Sequence, residues 1–381
     1  MFSFRFLPTT LESKTTLPVL VAILVLAATG GTGSAQTLQE AIDQASPGDT
    51  VFVAPGDYSR PVTVDKAITL LAEGPGEARL GGISGSLALV VGLVLDGSLG
   101  TRADFLVQAG SGLRFNNCTF RSSFSGAQIT SGAKDVLFRD CYFNALLEAV
   151  NLEEGAVSVT LDGTEVVDCT LGLIGPDSLV CDTPSGRVPA ERCDGGPCGR
   201  IEILNSTFVG GARHLMLAGD YVLIVRDSEF RRASTTALRA AGVRFEMERC
   251  EVASTGGGFG TGLDLDSVSG FVRSSRILSR GRGIMIGDGG CHRYSDIVIG
   301  GTLLTANDIS NLRLEQPEAV NAEANFWGTQ NCVAALAVID GQAVQTITDD
   351  RHQILIDCSM APAEPTTWGR LKTRYETGGG P

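Results

Sequence analysis

Apolar residues fall at every second position in short groups along this chain, and the groups repeat at intervals of about 22 to 27 residues, except for one interval of 42. The third and eighth positions of each repeat are apolar in all copies. A period of two predicts β-strands and disfavours helical repeats, which need long stretches of period 3.6. The eight copies are Leu113–Phe120, Val136–Phe143, Val159–Val166, Ile201–Phe208, Leu223–Phe230, Phe245–Val252, Gly270–Ile277 and Ile297–Leu304.

The fifth and sixth positions of the repeat predict a sharp bend between two strands. The fifth position mostly holds residues that tolerate a left-handed backbone, and the sixth is always small, which suits a narrow interior. The fifth positions are Asn117, Asp140, Gly163, Asn205, Asp227, Arg249, Ser274 and Gly301, and the sixth are Cys118, Cys141, Thr164, Ser206, Ser228, Cys250, Ser275 and Thr302.

A third strand is predicted on every coil by an apolar-x-apolar triplet that recurs with the same period. Three strands per coil, in register, predict an all-β, right-handed parallel β-helix of about ten coils stacked about 4.8 Å apart. The middle residue of each triplet should point outward. These residues are Leu106, Gln128, Asn151, Ile174, Met216, Arg239, Asp264, Met285 and Arg313.

Four segments describe the domain organisation that the sequence predicts. Residues 1–35 resemble a signal peptide, with Arg5 and Lys14 before an apolar run that is short for a membrane anchor, the alternative. Residues 36–360 form the β-helix, with an amphipathic capping helix at Thr37–Ala45 and a closing segment from Asn325 onward. A loop is inserted at residues 176–200, and residues 361–381 form a flexible tail.

The charge balance narrows the classes of partner. The chain carries 30 basic and 43 acidic residues, a formal net charge of −13. Nucleic acids and anionic membranes bind through an excess of Lys and Arg, so neither is expected here. The leader implies a secreted, periplasmic or cell-surface protein with no transmembrane span once the leader is removed.

Two motifs resemble the secreted bacterial right-handed β-helix proteins of the pectin-lyase-like superfamily. The first is Thr37-Leu-Gln-Glu-Ala-Ile-Asp-Gln-Ala-Ser-Pro-Gly-Asp-Thr-Val-Phe-Val-Ala-Pro-Gly-Asp-Tyr58, followed by Lys66-Ala-Ile-Thr-Leu-Leu71. The second, Asn321-Ala-Glu-Ala-Asn-Phe-Trp-Gly328, is similar to the closing segment of many such solenoids. The resemblance implies the fold and leaves the activity open.

Enzyme signatures of that superfamily are missing. Polygalacturonases carry Gly-His-Gly and Arg-Ile-Lys, whereas this chain lacks the first and has Arg276-Ile-Leu in place of the second. Lyases use Lys and Arg, and none of the four lysines falls in a triplet. The leading expectation is therefore carbohydrate binding without a recognisable catalytic signature. The alternatives are a polysaccharide lyase or glycoside hydrolase acting on an acidic glycan, and a structural or adhesive surface protein.

Arg239, Asp264 and Asp266 form the most polar neighbourhood among the triplets. As a catalytic group, the aspartates would act as an acid pair or bind Ca²⁺, and Arg239 would bind a substrate carboxylate or abstract a proton. A cross-coil salt bridge is the alternative. No other cofactor is indicated. The candidate substrate-binding residues on the same face are Gln128, Asn151, Met216 and Arg313, and the eleven arginines between Arg226 and Arg293 could offset the acidic charge locally.

The ten cysteines divide into two groups. Cys118, Cys141 and Cys250 occupy the inward small-residue column, where buried free thiols are expected. Six of the seven other cysteines are disulfide candidates with pairing undetermined, and because seven is an odd number at least one stays free; a zinc site in the inserted loop is a further alternative. The disulfide candidates are Cys169, Cys181, Cys193, Cys198, Cys332 and Cys358. The histidines His214, His292 and His352 show no metal-ligand spacing and are expected at the surface or in turns.

Overall fold

The computed structural model describes residues 22–25, 37–99, 105–155, 158–175, 199–254, 260–279, 281–287, 295–304, 310–314, 319–321 and 339–341. Their strands pair only in parallel and form three long sheets, each coil of the chain contributing one strand to each sheet in turn. We name them sheets A, B and C, in the order in which a coil visits them. The prediction of an all-β parallel β-helix is confirmed.

Sheet A comprises Ala22–Val25, Thr50–Val53, Thr69–Ala72, Leu89–Val91, Arg114–Asn116, Val136–Arg139, Ser158–Asp162, Gly199–Leu204, Tyr221–Arg226, Arg244–Glu248, Ser269–Arg273, Asp296–Gly300 and Ala319–Asn321. Sheet B comprises Gly56–Tyr58, Ala78–Leu80, Val94–Asp96, Thr119–Arg121, Tyr142–Asn144, Glu165–Val167, Thr207–Val209, Glu229–Arg231, Glu251–Ser254, Arg276–Ser279 and Leu303–Leu304. Sheet C comprises Val62–Val64, Ile83–Gly85, Phe105–Ala109, Ser125–Ile129, Glu148–Leu152, Leu171–Ile174, Arg213–Ala218, Thr236–Ala241, Thr261–Asp266, Arg282–Gly287, Ser310–Leu314 and Ile339–Gly341.

Like residues stack on one another inside the bore, because the register repeats without slipping from coil to coil. Phe115 pairs with Phe138 in sheet A, and Phe120 pairs with Phe143 in sheet B. The ring centroids of these pairs lie 5.2 and 4.2 Å apart, with the rings nearly parallel. Such stacked pairs add about 0.5 to 1.5 kcal/mol each beyond the burial of their area.

The bend between sheets A and B has the left-handed backbone that the sequence predicts. Asn117, Asp140, Asn205, Asp227 and Arg249 all have φ between 50° and 53°. Arg249 is unusual at such a position, and its guanidinium donates to both Asp227 carboxylate oxygens of the preceding coil at 2.7 and 2.8 Å. This paired contact offsets part of the cost of the left-handed conformation.

The small residues after the bend form a hydrogen-bonded ladder in the interior. Ser206 Oγ accepts from the backbone N–H of Thr164 at 3.1 Å, and Ser228 Oγ accepts from that of Ser206 at 3.1 Å. Each hydroxyl therefore caps a backbone donor that the bend removes from the sheets. Cys118 and Cys141 are buried free thiols in this ladder, as expected.

A short helix covers the N-terminal end of the bore. It spans Leu38–Gln44, and Thr37 forms a capping box with Glu40. Leu38, Ala41 and Ile42 of this helix are buried, so the cap shields core residues of the first coils from water. One further strand, Ala22–Val25, pairs with Thr50–Val53, although it lies within the predicted leader.

Two or more consecutive residues near the start of the strand are buried in the sheet C strands from Phe105–Ala109 to Arg282–Gly287, which corrects two expectations. In the strand Phe105–Ala109 the outward residue is Gln108, in register with Gln128, and Leu106 is 1% exposed instead of pointing outward. His214 occupies the equivalent inward position and is 2% exposed, so it is neither a surface nor a turn residue. Simple alternation fails here because the strand is kinked: the register skips this position on neighbouring coils.

Cys169 differs from the disulfide expectation. Its thiol is free and buried in the structure, with Sγ 3.6 Å from the carbonyl oxygen of Val167. Burial raises its pKa to about 11, as expected for a thiol in apolar surroundings. The other disulfide candidates, Cys181, Cys193, Cys198, Cys332 and Cys358, lie outside the described residues, as do the inserted loop from 176 to 198 and the tail.

Candidate functional site

The outward face of sheet C brings the predicted site residues into one ladder. Each pairs in register with the next across consecutive coils, in the order Gln128, Asn151, Ile174, Met216, Arg239, Asp264, Met285 and Arg313. Neighbouring residues of the ladder are therefore about 4.8 Å apart. Asp266 lies two positions beyond Asp264 on the same strand, paired with Ala241, so it faces the same way.

Arg239 contacts both aspartates of this face. Its Nε lies 3.8 Å from Asp264 Oδ2 and its Nη2 lies 3.8 Å from Asp266 Oδ2. The Arg239 side chain is 39% exposed, whereas those of Asp264 and Asp266 are only 13% and 11% exposed. The salt bridge anticipated for Arg239 and Asp264 is present, and it includes Asp266. We call these three residues the ionic centre.

Apolar and basic side chains surround the ionic centre. Met216, on the preceding coil, is 7% exposed, and Arg213 on the same strand directs Nη1 to its sulfur at 3.2 Å. Arg282 lies on the coil after Asp264, where it pairs in register with Thr261 of the Asp264 strand. The two carboxylates are thus flanked by three arginines on the same face, which leaves the region without excess negative charge.

The donor set fits Ca²⁺ poorly. Calcium takes six to eight oxygen ligands, whereas Asp264 and Asp266 offer two carboxylates that already face a guanidinium. Among the described residues there is no group of three or more His, Cys, Asp or Glu side chains arranged to hold a metal. We therefore derive no step through a metal ion.

The arginine-rich stretch between Arg226 and Arg293 does not form one surface. Because the chain turns through all three sheets on each coil, its arginines are divided among three faces. Arg226, Arg244 and Arg273 belong to sheet A strands and Arg231 and Arg276 to sheet B strands, and among the described members only Arg239 and Arg282 belong to sheet C. The described arginines of this stretch are therefore scattered over three faces and do not offset the acidic charge at one place.

The charged side chains on sheet B make a structural cluster near the N-terminal end. Asp96 is 2% exposed and accepts from Arg79 at 2.8 Å and from Arg121 at 2.9 Å. Burial alone would raise the pKa of Asp96, but hydrogen bonds from Ser98, Arg79 and Arg121 outweigh it and hold the pKa well below its usual value. These bonds tie together the coils that carry Arg79, Asp96 and Arg121.

The interior histidine is a second group whose titration is perturbed. His214 Nε2 lies 2.8 Å from the carbonyl oxygen of Gly210, and Nδ1 has no hydrogen-bond partner among the described residues. The ring lies beside the stacked rings of Phe208 and Phe230, whose centroids are 5.0 Å from each other and each 6.1 Å from that of His214. Burial lowers the pKa of His214 to about 4, and the Gly210 contact opposes this only in part.

Sequence reasoning missed one polar residue of the sheet C face. Glu148 accepts hydrogen bonds from Ser125 Oγ and Asn151 Nδ2, both at 2.8 Å to Oε2. It precedes the triplet Val150–Leu152 by two positions, so the apolar-x-apolar pattern does not include it. Glu148 pairs in register with Ser125 and Leu171. An alignment of strands longer than the triplet would therefore have placed it on the sheet C face.

Comparisons with known proteins identify the fold through structure only. No protein-family model matches the sequence, and no curated protein matches it either. The helix Leu38–Gln44 is too short to cross a membrane, and no other helix of the described residues could do so.

Several solved structures match over most of the chain. The GH87 α-1,3-glucanase catalytic unit of Streptomyces thermodiastaticus strain HF3-3 is 12% identical, with a TM-score of 0.53, over 90% of this chain and 71% of that one. The family 28 exopolygalacturonase of Yersinia enterocolitica is 12% identical, with a TM-score of 0.51, over 90% and 79%. A mannuronic-acid-specific family 6 polysaccharide lyase from the human gut microbiota is 10% identical, with a TM-score of 0.50, over 86% and 89%. At these identities the likeness concerns the fold, and the chain shares a parallel β-helix architecture with these structures.

Proposed function

We propose that the outward face of sheet C binds a polysaccharide, with the ionic centre as the main contact. The observation that carries this proposal is the convergence of Arg239, Asp264 and Asp266, with two nearly buried carboxylates held 3.8 Å from one accessible guanidinium. Enzymes that share the fold act on a glucan, a polygalacturonate and a mannuronate polymer, which supports a carbohydrate ligand of some kind.

The chemistry of this face suits sugars. Guanidinium groups only donate hydrogen bonds and carboxylates only accept them, whereas sugar hydroxyls do both. Met216 precedes Arg239 in the ladder and Ile174 precedes Met216; since Met216 is nearly buried, Ile174 provides the apolar surface for the C–H face of a sugar ring. Gln128, Asn151 and Arg313 extend the same ladder, so a chain lying along the helix axis would contact successive coils.

Binding without catalysis remains the first proposal, because the ionic centre suits contact better than β-elimination. A lyase base must be deprotonated, and an arginine guanidinium is not deprotonated in proteins. Arg239 is also surrounded by two carboxylates that interact with its charged form. Arg239 therefore binds and orients a ligand and does not abstract a proton.

Glycoside hydrolysis is the second candidate, favoured by the placement of Asp264 and Asp266. The two residues face the same way two positions apart on a strand, so their Cα atoms are separated by roughly 6.6 Å. Side chains that point the same way from these positions have carboxyl groups roughly as far apart as their Cα atoms, and inverting hydrolases hold their two carboxyl groups about 6.5 to 9.5 Å apart. Release of reducing ends by the wild-type protein, lost in both Asp264→Asn and Asp266→Asn, would establish hydrolysis; the absence of product from every bound glycan would exclude it.

The binding proposal is tested with two arginine variants that differ in the face they occupy. Arg239 and Arg276 have almost the same side-chain exposure, 39% and 40%, and each contacts an acidic residue of a neighbouring coil. Arg276 lies on sheet B and serves as the matched control. Calorimetry uses the tightest-binding oligosaccharide from a panel of neutral and acidic glycans.

Arg239→Ala should weaken binding about ten- to a hundredfold, since a hydrogen bond to a charged group is worth about 1.5 to 3 kcal/mol. Arg276→Ala should leave the affinity unchanged. Equal affinities for the two variants would refute sheet C as the binding face. Failure of the wild-type protein to bind any glycan of the panel would favour a structural or adhesive role instead.

We also propose that the protein is exported and that residues 1–35 are removed. The proposal rests on the composition of that segment, and removal would take with it the strand Ala22–Val25 that covers Thr50–Val53. N-terminal sequencing of the protein secreted by its native host tests this directly: a start near Gln36 supports it, and a start at Met1 contradicts it.

A further inference from the structure

Glu148 and its two partners form a preorganised acceptor on the sheet C face, away from the ionic centre. Ser125 Oγ and Asn151 Nδ2 both donate to Glu148 Oε2 at 2.8 Å, one from the preceding coil and one from its own strand. These bonds fix the carboxylate in one orientation. Among the described residues no hydrogen bond is made to the second oxygen, Oε1, which remains able to accept from a ligand.

On the described sheet C strands, the nearest positive charge in register with Glu148 is Arg213, two coils away. The four consecutive sheet C strands Phe105–Ala109, Ser125–Ile129, Glu148–Leu152 and Leu171–Ile174 contain no lysine or arginine. The described ion pairs include none with Glu148. This part of the face therefore keeps a net negative charge, whereas the ionic centre is flanked by arginines.

The distance between the two regions matches an extended ligand. Glu148 and Arg239 lie on sheet C strands three coils apart, which corresponds to about 14 Å along the axis. Leu171 and Ile174 occupy the outward positions of the coil after Glu148. A single sugar could not reach both regions, but an oligosaccharide of several units lying along the axis could.

We infer that the polysaccharide is not a homopolymer of uronic acid, and that the unit over Glu148 is an uncharged sugar that donates hydroxyl hydrogen bonds. This inference rests on the proposed function of the sheet C face. A fixed carboxylate accepts a hydroxyl hydrogen bond and repels a second carboxylate. A polymer with an acid group on every unit would necessarily place one beside Glu148.

The test compares a neutral glucan hexamer with a galacturonate hexamer by calorimetry, using the full chain. The wild-type protein should bind the glucan more tightly. Glu148→Gln should weaken glucan binding by up to about tenfold, because hydrogen bonds to an ionised acceptor are roughly twice as strong as neutral ones. The same change removes the repulsion, so binding of the galacturonate hexamer should become tighter.

Glu165→Gln is the matched control, since Glu165 lies on an outward position of sheet B in the following coil, and it should change neither affinity. Thermal unfolding of both variants within a few degrees of the wild type shows that the fold is retained. Tighter binding of the galacturonate hexamer by the wild type, or an unchanged ratio of the two affinities in Glu148→Gln, overturns the inference.

The Arg239→Ala variant separates this inference from the proposed function. If Arg239→Ala weakens both hexamers while Glu148→Gln changes neither, the binding face stands and the specificity inference fails. If Arg239→Ala changes neither hexamer, the binding face itself is wrong.

Discussion

Acidification should destabilise this protein in part through the interior histidine His214. His214 is 2% exposed, and its pKa is lowered to about 4 from an ordinary value of 6.5. A charged imidazolium in the bore would lie against the stacked rings of Phe208 and Phe230, where little solvates it. Protonation therefore opposes folding.

The size and sign of the effect follow from the two pKa values. Between pH 6.5 and pH 4 the unfolded chain binds a proton at this residue that the folded chain does not, so stability falls as the pH is lowered through this window. Above pH 6.5 both states are neutral at His214 and the contribution is constant. The difference between an ordinary pKa of 6.5 and a folded-state pKa of about 4 corresponds to a loss of about 3 kcal/mol in the free energy of unfolding. This loss is fully developed once the pH is below 4.

Denaturant unfolding of the wild type and of His214→Leu between pH 7.5 and pH 3.5 measures this contribution. Leucine has a similar size and cannot be protonated, so carboxylates that titrate in the same range cancel in the comparison. The free energy of unfolding of the wild type relative to the variant should fall by about 3 kcal/mol between pH 7 and pH 4. A difference that stays constant with pH would refute the placement of a neutral His214 in the bore.

Two further predictions concern stability. Asp96→Asn should lower the free energy of unfolding by about 2 kcal/mol, because two arginines lose their buried anionic partner. Asp57→Asn is the control, since that carboxylate is 55% exposed, and it should leave the thermal midpoint nearly unchanged. Equal thermal midpoints for the two variants would contradict the role of Asp96. Gly211→Ala should cost about 2 to 4 kcal/mol, since the new Cβ would overlap the carbonyl of Cys169 in addition to adopting φ of 81°. Gly132 has φ of 73° and open space around it, so Gly132→Ala measures the conformational cost alone, about 1 kcal/mol. Equal losses of unfolding free energy in the two variants, measured with denaturant, would show that the overlap at position 211 is relieved.

The fold could be predicted because every coil repeats the same pattern of inward apolar residues and a bend residue. Inward positions such as Phe115 and Phe138 must be apolar on each coil, and the bend at Asn117 or Asp140 favours a residue that accepts positive φ. These constraints are local in sequence and recur at a fixed period. They therefore specify the strands, the bend and the register without knowledge of long-range contacts.

The prediction failed where the sheet C strands depart from strict alternation. At Leu106 and His214 two successive residues face inward, which a period of two cannot represent. For His214 this converts an apparently exposed imidazole into an interior group. Cys169 is a similar case, because its burial depends on the turn into sheet C and not on any spacing between cysteines.

The candidate site was predictable only in part. The triplet pattern aligned Arg239 with Asp264, since both occupy the middle of a triplet on consecutive coils. It could not show that Asp266 shares the same guanidinium or that both carboxylates are nearly buried. Glu148 could not be predicted, because its role depends on side-chain hydrogen bonds donated by Ser125 and Asn151. Such bonds do not affect the periodicity of apolar residues.

The location of a bound oligosaccharide tests the central claim most directly. A crystal structure of the protein with the tightest-binding oligosaccharide from the panel should show the sugar chain along the outward face of sheet C, with a unit in hydrogen-bond contact with Arg239 and its neighbours on adjacent coils. Sugar density on the outward face of sheet A or sheet B, with Arg239 still bound only to Asp264 and Asp266, would contradict the account.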